Sequence, residues 1–188
     1  MLENLTSTIN RKIFFPVFEE PVKGINNFLE APNKKMLTTW TDLDSETREQ
    51  SYLSIVNSNY RVVENREILL PLQKQMVNYF DPTVLEKMRI KDIILKNGAV
   101  CWAEYTFPDI SEEITTKSGY KTKFNLRYIL RNTFDGSGSV MLYSGDIDVF
   151  CTNGMISGSY DITSKRHTKN FNTEGFLDAF DKTLMTHK

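Results

Sequence analysis

The chain has little of the chemistry that most enzymes lean on, with two cysteines and two histidines in 188 residues. Cys101 and Cys151 both sit in strand-like apolar surroundings. In a reducing compartment such residues read as small core side chains, and no disulfide is expected. The histidines are His167 and His187, the second close to the end of the chain. Long apolar runs are missing too, which excludes a membrane-spanning helix. The opening MLENLTSTINRKIFFPVFEEP has no uninterrupted apolar stretch followed by a small-residue cleavage site, so a secretory signal is not read there. The cytoplasm is the expected location, with no membrane partner. An excess of one charge is lacking as well: the net charge is −1, which excludes nucleic-acid binding driven by bulk electrostatics and leaves only a local patch. Repeats and low-complexity tracts are absent, against solenoids and tails.

What remains is ordinary globular material, 40% hydrophobic and 25% charged, enough for one domain with its own core. Residues 1–50 are the least periodic, carrying Pro16, Pro21, Pro32 and the run TDLDSETREQ. They are expected to form an irregular N-terminal segment packed on the core, leaving 51–188 as a single α+β domain. Asn65 is placed to cap a helix whose apolar face is Ile68, Leu69, Leu72, Met76 and Tyr79, with Pro71 as a kink or a delayed start. Asn97-Gly98, between IKDIIL and VCWAEYTF, predicts a two-residue hairpin because both positions accept positive φ. A polar loop, PDISEEITTKSG, then leads into the strand 121–132, two or three further strands broken by glycine follow, and 172–185 reads as an amphipathic helix with Phe176, Leu177, Phe180 and Leu184 on one face. The class is α+β, an antiparallel sheet of meander and hairpins with helices packed on one face.

The strand YKTKFNLRYILR carries the functional signal. Counting in twos puts Lys121, Lys123, Asn125, Arg127 and Arg131 on one face and Thr122, Phe124, Leu126, Tyr128 and Leu130 on the other. Like charges at ~7 Å intervals suit a phosphate backbone, or else a solvated face paired with acids on the next strand. No acidic residue lies between Glu113 and Asp135, and a second acid-free window holds Lys165, Arg166, His167 and Lys169. Tyr120, Tyr143 and Tyr160 are candidate stacking partners for bases, or packing residues.

Other chemistries are weaker. The segment FDGSGS is glycine-rich, but β-structure and not a helix follows it, so it is no nucleotide-binding loop; its amides, with Ser137 and Ser139, could at most form a small anion nest. Asp146 and Asp148 share a strand face and with Asp135 or Asp161 could hold a hard metal for a nuclease, although cross-strand pairing with the cationic strand explains them equally. A catalytic Cys151 would need His167 as its base.

The phrases NYRVVEN, TFDGSGSVMLYSGDIDVFCTNGM and SKRHTKN together resemble the phage- and plasmid-associated domain-of-unknown-function family 932, over Tyr60 to Asn170. The residues on its pattern are Asn132, Asp135, Gly136, Ser137, Cys151, Asn153, Gly154, Arg166 and His167, with Thr133 standing where a serine is usual. The resemblance implies a mobile-element origin, and by association a role in DNA recombination or replication. The resulting expectation is a non-catalytic protein that needs no cofactor and binds single-stranded nucleic acid through Lys121, Lys123, Arg127, Arg131, Lys165, Arg166, His167 and Lys169. An annealing role would add a homo-oligomeric ring or filament. Two rivals stand beside it: a protein that binds and redirects a host protein through an exposed apolar patch at Phe14, Phe15 and Phe18, and the nuclease of Asp135, Asp146 and Asp148.

Overall fold

Within each of its two sheets, consecutive strands pair with one another, so the sheets are built from local hairpins. The computed structural model describes residues 12–23, 30–40, 50–115, 119, 121–149 and 156–186. A three-stranded sheet takes β1 (Phe18–Lys23), β2 (Glu30–Trp40) and β3 (Gln50–Asn57) in that order. A five-stranded sheet takes β4 (Arg89–Leu95), β5 (Val100–Thr115), β6 (Lys121–Thr133), β7 (Val140–Val149) and β8 (Ile156–Lys165), again in chain order. Every pairing is antiparallel. Among the described residues there are three α-helices: α1 (Asn65–Tyr79), α2 (Pro82–Lys87) and α3 (Thr173–Thr186). The class is α+β, with strand outweighing helix.

Within the described part of 1–50, β1 and β2 are regular strands, and they form one sheet with β3 across the expected boundary at residue 50. Pro21 is tolerated since β1 is an edge strand, where a missing N–H removes no ladder bond that the sheet needs. The hairpin at Asn97-Gly98 is present but longer than expected: Leu95 pairs with Val100, and Lys96, Asn97 and Gly98 all take positive φ (50°, 55° and 100°). The polar loop after Phe107 is strand instead. β5 runs on to Thr115 with a register shift between Phe107 and Ser111, so that Glu113 stands across from Lys123. In α1 the apolar face is as read, but Glu64 occupies the capping position and Asn65 is the first helical residue, its amide turned inward to Ile13 O at 2.9 Å. Pro71 lies inside this helix without ending it.

Alternation on β5 and β6 builds the core. Cys101, Ala103, Tyr105 and Phe107 on one strand and Phe124, Leu126, Tyr128 and Leu130 on the other are buried. Tyr128 meets Phe180 of α3 edge-on at 4.8 Å, Phe107 meets Phe80 at 4.3 Å, and Gln73 Nε2 of α1 donates to Tyr105 Oη at 2.9 Å. Each such ring contributes roughly 1.5–3 kcal/mol by leaving water. The smaller sheet joins this core through Leu37, Leu53 and Val56, which pack with Phe15 and Phe134. Ser54 Oγ donates to Phe134 O.

Candidate functional site

The other face of the five-stranded sheet is defined by its register, read across the strands from β4 to β8. One row is Ile93, Trp102, Arg131, Met141 and Ser164; the next is Lys91, Glu104, Ile129, Tyr143 and Ile162; the third is Arg89, Thr106, Arg127, Gly145 and Tyr160. Cations and rings alternate along this face. Arg131 lies over the Trp102 ring at 5.9 Å and donates to Met141 Sδ at 3.8 Å. Tyr143 and Tyr160 are 6.1 Å apart by ring centroid, and Tyr143 Oη donates to Met141 Sδ at 3.6 Å. Burial raises the Tyr143 pKa, the nearby Arg131 charge opposes that and Tyr160 adds to it, so the three groups form one electrostatic unit. Tyr160 and Ile162 are exposed, the latter by 50%.

Not all of the β6 cations are available. Lys121 pairs with Glu113 at 2.7 Å, and Arg127 pairs with Glu104 at 3.1 Å in a setting where both side chains are mostly covered. Lys123 is exposed and faces Glu113 in register. The neutralising acids therefore come from β5. Asp146, which the alternation also offered for this purpose, stands on the opposite face across from Leu126, where its charge helps burial to raise the Tyr128 pKa.

The second cationic window meets the first at one end only. Lys165 pairs with Val140, beside the row that joins Arg131 to Met141 and Ser164, and Lys165, Arg166 and Lys169 are exposed. Two strand spacings, about 10 Å, separate Arg131 from Ser164. Lys121 lies ten residues back along β6, about 33 Å away, so Lys121 and Lys123 belong to the far end of the sheet.

His167 is turned inward, away from that surface. It stacks on Tyr60, its Nδ1 lies 3.2 Å from Arg61 O, and it is 6% exposed. A carbonyl only accepts, so Nδ1 carries the proton and Nε2, buried without a partner, is left bare. Burial lowers the pKa to about 4 against the Arg61 hydrogen bond. Around it the family-pattern residues knit distant segments together. Asn132 Nδ2 donates to Val63 O at 2.8 Å and to Asn65 Oδ1 at 2.9 Å, Tyr60 Oη donates to Thr133 O at 2.7 Å, and Arg61 N donates to His167 O at 3.2 Å. Arg61 also reaches Phe171 O and pairs with Glu67 at 2.5 Å, and Thr173 Oγ1 donates to the same carboxylate. Asp135 accepts from the amide and the hydroxyl of Ser137 and pairs with Lys96 at 3.3 Å. Burial pushes its pKa up, but Ser137 and Lys96 outweigh that and hold it low. The Ser137 amide that an anion nest would offer is thus already engaged, and Gly136 follows Asp135 in the turn with φ 70°. Cys101 is buried, its pKa raised to about 12 by burial.

The rival sites are less well assembled. Phe14 and Phe15 are buried, and Phe18, half-buried, packs on Trp40 at 5.1 Å, so the three rings do not form one exposed apolar patch. Asp135 sits at the turn end of the sheet and Asp146 five residues along β7 beyond Met141, and among the described residues no three His, Cys, Asp or Glu side chains come together. Tyr120, Cys151, Asn153, Gly154, His187 and the side chain of Asp148 lie outside the described residues. Sequence reasoning passed over Trp102 and Ile162. Counting V-C-W-A-E-Y-T-F in twos puts Trp102 on the face away from Cys101, Ala103 and Tyr105, the face that Arg131 shares.

A family model described as domain of unknown function (DUF932) matches residues 52–179. No curated protein and no solved structure matches the chain.

Proposed function

The chain belongs to the domain-of-unknown-function family 932, and from that premise we propose that it is a non-catalytic nucleic-acid-binding protein whose five-stranded sheet presents the binding face. The observation that carries the reading is the set Trp102, Arg131, Tyr143 and Tyr160, brought onto one sheet face, with Arg166 and Lys169 exposed just past the end of β8. Rings offer stacking to any base and cations offer phosphate contacts, the combination that sequence-tolerant binding needs. The reading takes α1 and α3 to cover only the face of Tyr105 and Tyr128. His167 and Cys101, buried in their neutral forms, serve as structural groups in it. Accessory work in DNA recombination or replication, in the cytoplasm of a bacterial cell, is the setting we attach to it by family association alone.

The test is fluorescence anisotropy with labelled single-stranded and duplex oligonucleotides between about 50 and 200 mM salt. Binding that weakens steeply with salt is expected. No binding at the low-salt end would overturn the reading and move attention to a protein partner, for which Tyr52 and Ile55, exposed on β3, are the apolar groups at hand.

A further inference from the structure

We propose, resting on that reading, that the ligand is single-stranded and occupies only one half of the sheet face, with phosphates held by Arg131, Arg166 and Lys169 and bases stacked on Tyr160 and Tyr143. Lys121 and Lys123, the most conspicuous cations of the sequence, take no part.

The charge distribution leads to this division. A duplex binder needs phosphate contacts spread along the backbone, and the long row on β6 looked suited to that. Two of its members are offset by acids on the neighbouring strand, Lys121 by Glu113 and Arg127 by Glu104, and Lys123 stands across from Glu113. Arg131 has no acid across from it in the register and stands at the turn end, two strands from Ser164, the residue that precedes the 165–169 segment. Asp135, the acid nearest to that end, is engaged by Ser137 and Lys96.

The rings point the same way. Duplex bases are stacked on each other and offer only groove edges, whereas unpaired bases can lie on an aromatic face. Tyr160 is exposed on the edge strand β8, and Tyr143 is next to it at 6.1 Å. Gly145, between Arg127 and Tyr160 in the third row, has no side chain and lets the backbone of β8 at Tyr160 come in close against β7. From Tyr160 to Arg166 the strand covers six residues, about 20 Å, so rings and phosphate-binding cations fit one short piece of nucleic acid. The inward anchoring of His167 fixes the turn that displays Arg166 and Lys169.

Three variants of the full chain, each checked for native circular dichroism, separate the possibilities in the anisotropy assay. Arg166→Glu with Lys169→Glu is expected to weaken single-strand binding at least about tenfold. Tyr160→Leu is expected to weaken single-strand binding about five- to tenfold while leaving any duplex binding unchanged. Lys121→Gln with Lys123→Gln is expected to stay within about twofold of the parent. The proposal is overturned, with nucleic-acid binding intact, if the Lys121/Lys123 pair carries the loss, or if duplex binds as tightly as single strand and Tyr160→Leu changes nothing. No binding by the parent protein overturns the underlying reading and this one with it.

Discussion

His167 stacks on Tyr60 with ring centroids 4.6 Å apart and planes 11° from parallel, joining two segments a hundred residues apart in the chain. The stack makes folding sensitive to acid. In the native state the imidazole resists protonation down to about pH 4, because a charge there would be desolvated, while an unfolded chain takes up the proton near the ordinary value of 6.5. Below 6.5 the unfolded state therefore binds more protons, and stability falls as the pH drops from about 6.5 towards 4, by roughly 3 kcal/mol in all. His167→Phe keeps a ring against Tyr60 and removes the titration. Urea melts at a series of pH values between 7.5 and 4 are expected to show a shallower decline for the variant. An equal slope in both proteins would place the acid sensitivity elsewhere.

Asn132 is the hub of the buried polar network, fully enclosed and donating to Val63 O and Asn65 Oδ1 together. Replacing it by Ala leaves two buried acceptors without donors, a loss of about 2–4 kcal/mol. Asn132→Asp is expected to be worse, since it sets a carboxylate against those same acceptors. Chemical denaturation midpoints measure both, and a small loss for Asp would mean that the cluster admits water.

The parts of this fold that were legible in the sequence are those with a clean period. Leu126, Tyr128 and Leu130 against Arg127 and Arg131 gave the faces of β6, and Ile68, Leu69, Leu72 and Met76 gave the buried side of α1. β1 and β2 were hidden because prolines interrupt them: Pro21 lies on the edge strand β1, and Pro32 on the central β2 falls where the pairing with β1 shifts register, between Lys35 and Glu30. The cations of the site were visible by counting, but their neutralisation was not, because Glu104 and Glu113 sit on β5, whose second half reads as a polar loop and whose register with β6 shifts between Phe107 and Ser111. His167 looked like one more surface cation beside Lys165, Arg166 and Lys169. Only the bridge between Tyr60 and Thr168 shows why its side chain turns inward.

The Arg127–Glu104 pair, more than four-fifths covered on both sides, is expected to be coupled more strongly than an exposed ion pair. A double-mutant cycle with Arg127→Met and Glu104→Gln should give a coupling near 1–2 kcal/mol that persists at high salt. The single variant Glu104→Gln leaves the guanidinium without its counter-charge and should increase any affinity for polyanions. A coupling close to zero would mean that burial adds nothing to this pair beyond what an exposed ion pair has.

Gly145 tests whether the close approach of β7 to β8 beside Tyr160 requires a glycine. Its φ is 145°, and a Cβ there would stand 2.3 Å from Ser159 O and 2.8 Å from Tyr160 Cα, both backbone atoms of the paired strand. Gly158, on the other strand of the pair, is in the same position against Asp146 O at 2.0 Å. The two strands approach so closely that neither can move aside without breaking the β7–β8 ladder. Gly145→Ala is therefore expected to cost about 3 kcal/mol, combining a strained φ with a steric clash. The same exchange at Gly175 in α3, where the nearest neighbouring atom is 3.9 Å away, should be neutral or slightly stabilising because alanine is the better helix former. Thermal melts of the two variants decide the matter. If Gly145→Ala melts with the parent, β8 is held loosely enough to yield, and Tyr160 would then be carried on a strand too mobile to serve as a fixed stacking platform.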